Sequence, residues 1–185
     1  MILLQRLFSE DKDSALALIQ SRIDSNTKVC LSDNRINQKW VDEVMTLDAT
    51  YNDTHRIFGH FTNDILEYVF IVKLYQTKEY IVSMLMGHKN SKADMVDGYN
   101  TKSNELIEYS IREMEKAGYY TFYSIIPDHP KWKLYDNNPN RSIKDEYSIS
   151  IIEHIKAGAP SNYSAITSRP FNIDMIIRKM EKKKC

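Results

Sequence analysis

Three runs in the middle of the chain decide the fold: Tyr80-Ile81-Val82-Ser83-Met84-Leu85-Met86, then Leu106, Ile107, Ser110, Ile111, Met114 and Ala117, then Tyr119-Tyr120-Thr121-Phe122-Tyr123-Ser124-Ile125-Ile126. The first is a strand-length apolar run with the β-branched and aromatic residues that favour extended backbone. The second recurs at three- and four-residue steps, the spacing of a helix with one buried face, and Gly118 is placed to end it in the left-handed conformation. The third is a second strand, closed by Pro127. A strand that follows a helix normally lies parallel to the strand before it, because the crossover must return over the sheet. Tyr80–Met86 and Tyr119–Ile126 are therefore expected as parallel neighbours.

Upstream, Arg56–Phe61 and Ile65–Tyr75 flank Thr62-Asn63-Asp64, a hairpin signal because Asn and Asp tolerate positive φ. With Tyr80–Met86, which follows the polar Gln76-Thr77-Lys78-Glu79, they form an antiparallel meander. Nearer the start, Ile2–Leu7 reads as a strand, and Ser9-Glu10-Asp11 caps a helix whose apolar face is Ala15, Leu16, Ile19 and Ile23. Ser32-Asp33-Asn34 caps a second helix carrying Ile36, Trp40, Val44 and Leu47 to about Asp48, and Ala49–His55 reads as a loop. Downstream, Asp128–Lys144 is a polar excursion holding Pro130 and Pro139. Tyr147–Ile155 alternates as a strand, Gly158-Ala159-Pro160 breaks it, and Tyr163–Arg169 reads as a short extended piece. Phe171, Ile173, Met175 and Ile177 alternate through a last strand before a solvated tail, Lys179–Lys184. No internal repeat or linker divides the chain, so residues 1–185 are expected to form one domain.

The 185 residues carry 25 Lys and Arg against 25 Asp and Glu, a net charge of zero that argues against general nucleic-acid binding. With 42% hydrophobic and 11% aromatic residues the chain is too apolar to be disordered. No run reaches the ~18 apolar residues of a membrane span, and Met1-Ile2-Leu3-Leu4-Gln5-Arg6, followed by Glu10, Asp11 and Asp13, does not read as a signal peptide. Two cysteines, Cys30 and Cys185, make no metal knuckle. A reducing, cytoplasmic setting is expected, with no membrane partner. The lean towards Ile, Asn, Lys and Tyr is what AT-rich genomes, many phage genomes among them, produce through codon content; a phage-encoded chain would sit in the host cytoplasm or the virion.

The order strand, two helices, three antiparallel strands, helix, strand, excursion and two closing strands resembles the Gcn5-related N-acetyltransferase (GNAT) family over almost the whole chain. Phe58-Gly59-His60-Phe61 resembles that family's second strand and Tyr80–Met86 its fourth. The resemblance implies an α+β fold, a mixed, mostly antiparallel sheet of about seven strands with helices on both faces. It implies an acetyltransferase that moves an acetyl group from acetyl-CoA to an amine on a small molecule or a protein. It implies further that the main chain of Met84, Leu85 and Met86 pairs with the pantetheine arm where the fourth and fifth strands splay. The diphosphate would then lie at the helix start over Asp97, Gly98, Tyr99, Asn100 and Thr101, where helix N–H groups favour anions. After the fifth strand, Asp128-His129-Pro130-Lys131-Trp132-Lys133-Leu134-Tyr135 keeps the family's Leu–Tyr pair, which makes Tyr135 the candidate acid for the departing thiolate.

Acetyl transfer also needs a deprotonated amine. Glu67 and Glu79 flank the meander, His60 and His88 can accept a proton, and Glu67 is carried as the candidate base. Solvated strand-edge carboxylates and a packed histidine are the competing structural readings. His55, His88, His129 and His154 with Asp53 or Asp128 show no metal-ligand spacing, so no metal is expected. Ser83 and Ser124 lack nucleophile-elbow glycines. A rival function keeps the fold and drops the enzyme: a structural or interaction subunit, of a phage particle for instance. Residues 136–141 and 157–162 would then dock on protein partners, and a strand edge could pair a second copy into a homo-oligomer.

Overall fold

Strands from both halves of the chain meet in one seven-stranded sheet in the computed structural model, which describes residues 1–24, 54–88, 90–91, 95–96, 99–128, 145–163 and 171–184. In chain order the elements are β1 (Ile2–Arg6), α1 (Lys12–Asp24), β2 (His55–Thr62), β3 (Ile65–Leu74), β4 (Glu79–Gly87), the two-residue β5 (Met95–Val96) and β6 (Tyr99–Asn100), α2 (Thr101–Lys116), β7 (Thr121–Pro127), β8 (Tyr147–Ile155) and β9 (Met175–Lys182). The sheet order is β1-β2-β3-β4-β7-β9-β8, while β5 and β6 form a separate hairpin. Every sheet pairing is antiparallel except β4 with β7, which is parallel as the crossover argument requires. This is the expected α+β architecture.

Local chemistry explains the corners. Asn63 and Asp64 both take positive φ, 50° and 64°, giving the two-residue turn whose twist suits a hairpin. Gly118 sits at φ 87°, and Tyr119 N–H donates to the Met114 carbonyl, closing α2 with a left-handed cap. The capping expected at Ser9 is made differently: the Asp11 carboxylate accepts the Phe8 N–H at 3.1 Å, and the Ser9 hydroxyl turns to Glu10.

Each face of the sheet is covered by one of these helices. Ala15, Leu18 and Ile19 of α1 pack with Ile57, Val69 and Ile71. Leu106, Ile111 and Met114 of α2 pack on the other face with Phe58, Phe70, Val72, Tyr80 and Phe122. β3 is thus buried on both sides, which is why Tyr68–Val72 reads as a continuous apolar run.

The last strand departs from expectation. It runs Met175–Lys182, so the basic segment expected as a solvated tail is an interior strand between β7 and β8. Met175, Ile176 and Ile177 are buried in succession, so alternation was the wrong signal for a strand covered on both faces. Its charged residues enter the sheet because partners meet them: Arg178 reaches Ser124, Lys179 pairs with Glu181, and Lys182 with Glu115 and Glu146. Phe171 is buried against Met175 and Ile177 but lies outside the strand. The expected helix over 33–48, the excursion from 129 onward and the extended piece from 164 lie outside the described residues.

Candidate functional site

The parallel ladder between β4 and β7 is short. It joins Glu79–Thr121, Tyr80–Phe122, Ile81–Tyr123 and Val82–Ser124, and stops there. Both strands continue: β4 runs to Gly87 against β3, and β7 to Pro127 against β9. The cause lies in β4. Val82 is opposite Val72 and Met84 opposite Ile71, so Ser83 is an extra residue, and such a bulge bends and twists the strand that carries it. Past the bulge β4 follows β3 away from β7. Because an antiparallel pair uses alternate backbone groups, part of the N–H and C=O set of Met84, Leu85 and Met86 is directed to the side that β7 has left.

The start of α2 stands at this open end. Asn100 is its N-cap and accepts the Ser103 N–H, and the Asn100 amide donates to the Tyr68 hydroxyl at 3.0 Å. Tyr68 lies opposite Gly87, where a Cβ would come within 2.5 Å of its ring, so glycine lets the ring cross the end of β4 and reach the cap. Arg22 of α1 donates to the Gly87 carbonyl from the other face.

Glu67 is a hub at the same end. It is the extra residue of a bulge in β3 opposite the step from His60 to Phe61. Its carboxylate accepts from Lys102 in the first turn of α2 at 2.6 Å and from the Thr62 hydroxyl at 2.5 Å. Its carbonyl accepts the His88 N–H and the Ser91 hydroxyl. Burial raises the carboxyl pKa, but the hydrogen bonds from Lys102 and Thr62 and the Lys102 charge outweigh it and leave it below the usual range. A base works best with a pKa near the working pH, so this environment suits Glu67 to an anchoring task rather than to proton abstraction.

Of the other expected residues, Leu85 is exposed and Met86 buried, Asn100 caps α2 and Thr101 is its first residue. Tyr99 opens the second strand of the short hairpin, opposite Val96. Asp97, Gly98 and Tyr135 lie outside the described residues. Glu79 sits at the far end of β4, where it accepts from the Tyr123 hydroxyl, and is removed from the open end. His60 is fully buried under α2 with Nε2 3.4 Å from Glu105. Sequence reasoning gave no role to Ser124 with Arg178, which cross the sheet where the β4–β7 ladder ends. The only signal for them was a serine in an otherwise largely apolar strand and an arginine directly after the apolar run Met175-Ile176-Ile177. No group of His, Cys, Asp and Glu suited to a metal occurs among the described residues, and no described helix is long and apolar enough to cross a membrane.

No protein-family model and no curated protein sequence matches the chain. Solved structures do. An N-acetyltransferase from Staphylococcus aureus superposes with a TM-score of 0.62 at 11% identity, covering 99% of each chain. The ribosomal-protein-S18-alanine N-acetyltransferase from Escherichia coli gives 0.58 at 13% identity, covering 100% of this chain and 96% of that one. The PaiA N-acetyltransferase from Thermoplasma acidophilum, solved with coenzyme A, gives 0.58 at 12% identity over 99% of both. At these identities the likeness establishes the GNAT fold.

Proposed function

We propose that the chain is an acyl-CoA-dependent N-acetyltransferase acting on an amine of a small molecule or a protein. The observation that carries this reading is the parting of β4 and β7 after Val82 and Ser124, on a fold shared with acetyltransferases that include one solved with coenzyme A. The residues fit the group. Met84, Leu85 and Met86 offer an unzipped strand edge to the amide groups of a pantetheine arm, as a strand edge takes an added strand. The first turn of α2 offers the positive end of a 16-residue helix to a diphosphate, with the segment over 97–101 leading into it. When bound, acetyl-CoA supplies an activated thioester. The protein positions it, and Tyr135 remains the candidate acid on the departing side.

Acetyl-CoA should therefore protect the fold against heat. A ligand at ~100 times its Kd adds ~2.7 kcal/mol, a rise of roughly 5–10 °C in Tm for a chain of this size. An unchanged melting curve at millimolar acetyl-CoA overturns the reading and leaves the structural-subunit alternative.

A further inference from the structure

One row of side chains crosses the sheet on the α2 face at the last rung of the β4–β7 ladder: Val72 of β3, Val82 of β4, Ser124 of β7, Arg178 of β9 and Ile151 of β8. Two positions from this row towards the closed end of the ladder, on the same face, the opposed pair Phe122 and Met180 belongs to the apolar core under α2. The change from apolar to polar falls where the two parallel strands separate. Ser124 is only 7% exposed, and Arg178 Nε donates to its Oγ at 3.2 Å. Among the described residues the serine oxygen accepts from a cation while its own proton goes to no acceptor. A buried hydroxyl in that position costs stability unless something takes its hydrogen bond. The position is the apex of the opening, and an acceptor there would take the unspent proton, its bond strengthened by the guanidinium that donates to the same oxygen.

We propose that Ser124 donates a hydrogen bond to the sulfur of a coenzyme A thiolate at this apex, and that Arg178 is a positioning residue that polarises the Ser124 hydroxyl. This rests on the acyl-CoA reading. In acyl transfer the amine nitrogen bonds to the acyl carbon and the C–S bond breaks with its electron pair on sulfur. The proton leaves the amine nitrogen for solvent. Ser124 keeps its own proton and spends only the hydrogen bond, since a serine hydroxyl is too weak an acid to neutralise a thiolate. Stabilisation of this kind acts on charge that develops as the bond breaks.

The test uses binding, apart from turnover. Calorimetry with the whole protein compares coenzyme A with S-methyl coenzyme A, whose sulfur cannot ionise, between neutral pH and pH about 9, across the ordinary thiol pKa of ~8.5. In the unaltered protein the affinity ratio of thiol to thioether should rise with pH, about tenfold for each unit by which the bound thiol is made more acidic. S124A and R178Q should flatten that rise while still binding the thioether, which shows that their opening is intact; R178K, which keeps the charge, should restore part of it. A ratio that climbs equally in S124A and R178Q, or that is flat in the unaltered protein, overturns the inference and leaves the acyl-CoA reading standing. Failure of the unaltered protein to bind either compound overturns both.

Discussion

Gly87 and Glu67 show how single positions shape the open end. A methyl group at Gly87 meets the Tyr68 ring at 2.5 Å, so Gly87→Ala must displace a buried ring that supports the Asn100 cap of α2. Overpacking of this kind costs ~1–3 kcal/mol. The variant should melt lower, and the double variant Gly87→Ala with Tyr68→Leu should recover part of the loss in denaturant titrations. Glu67 is held by Lys102 and Thr62, so Glu67→Gln should loosen the first turn of α2. The expected outcome is a raised KM for acetyl-CoA, several-fold, with kcat retained. A collapse of kcat at unchanged KM would return Glu67 to the part of base.

Among the elements, β4 carries the decisive irregularity. Without Ser83 its alternation would be unbroken, with Val82 towards α2 and Met86 towards α1. Deletion of Ser83 should therefore leave a folded protein whose β4 is straighter, and acetyl-CoA should lose its stabilising effect on the melting curve. The crossover from β4 through α2 to β7, the hairpin at Asn63-Asp64 and the Gly118 cap were all legible in the sequence, because each depends on residues close together in the chain. The two bulges were not, since an extra Ser83 or Glu67 is defined only by the register of a partner strand. Nor was β9: its lysines read as a solvated tail, and partners distant in sequence, Ser124 for Arg178 and Glu115 and Glu146 for Lys182, meet its charges within the sheet. The tie between Glu67 and Lys102, thirty-five positions apart, was hidden for the same reason.

At the scale of the whole molecule the two ends of the sheet differ. Opposite the opening, Arg112, Glu115, Glu146, Tyr147 and Lys182 form one linked set that clamps the later half of α2 to β8 and β9. The Arg112 hydrogen bond holds the Glu146 carboxyl at about 2. His55, beside Lys73 at the same end, is held by burial and by the Lys73 charge at about 4. Both values lie below those of the unfolded chain, so both groups contribute stability at neutral pH that is lost on acidification. His55 accounts for loss as pH falls from 6.5 to about 4, and Glu146 for loss from 4.5 to about 2. Denaturation midpoints measured against pH should fall in both windows. His55→Asn should remove the upper decline, and Arg112→Gln should shrink the lower one.

The placing of β9 governs the order of assembly. It follows β8 in the chain yet is wedged between β8 and β7, so those two strands share no direct rung and are joined only through it. A folding intermediate that has formed the β1–β4 meander and docked β7 still exposes one raw flank, and β8 has nowhere to attach until residues 175–182 slide in. Such a half-built sheet invites mispairing with other chains. Amide protons of β8 should thus gain protection together with those of β9, after those of β2 and β3, in pulse-labelled refolding.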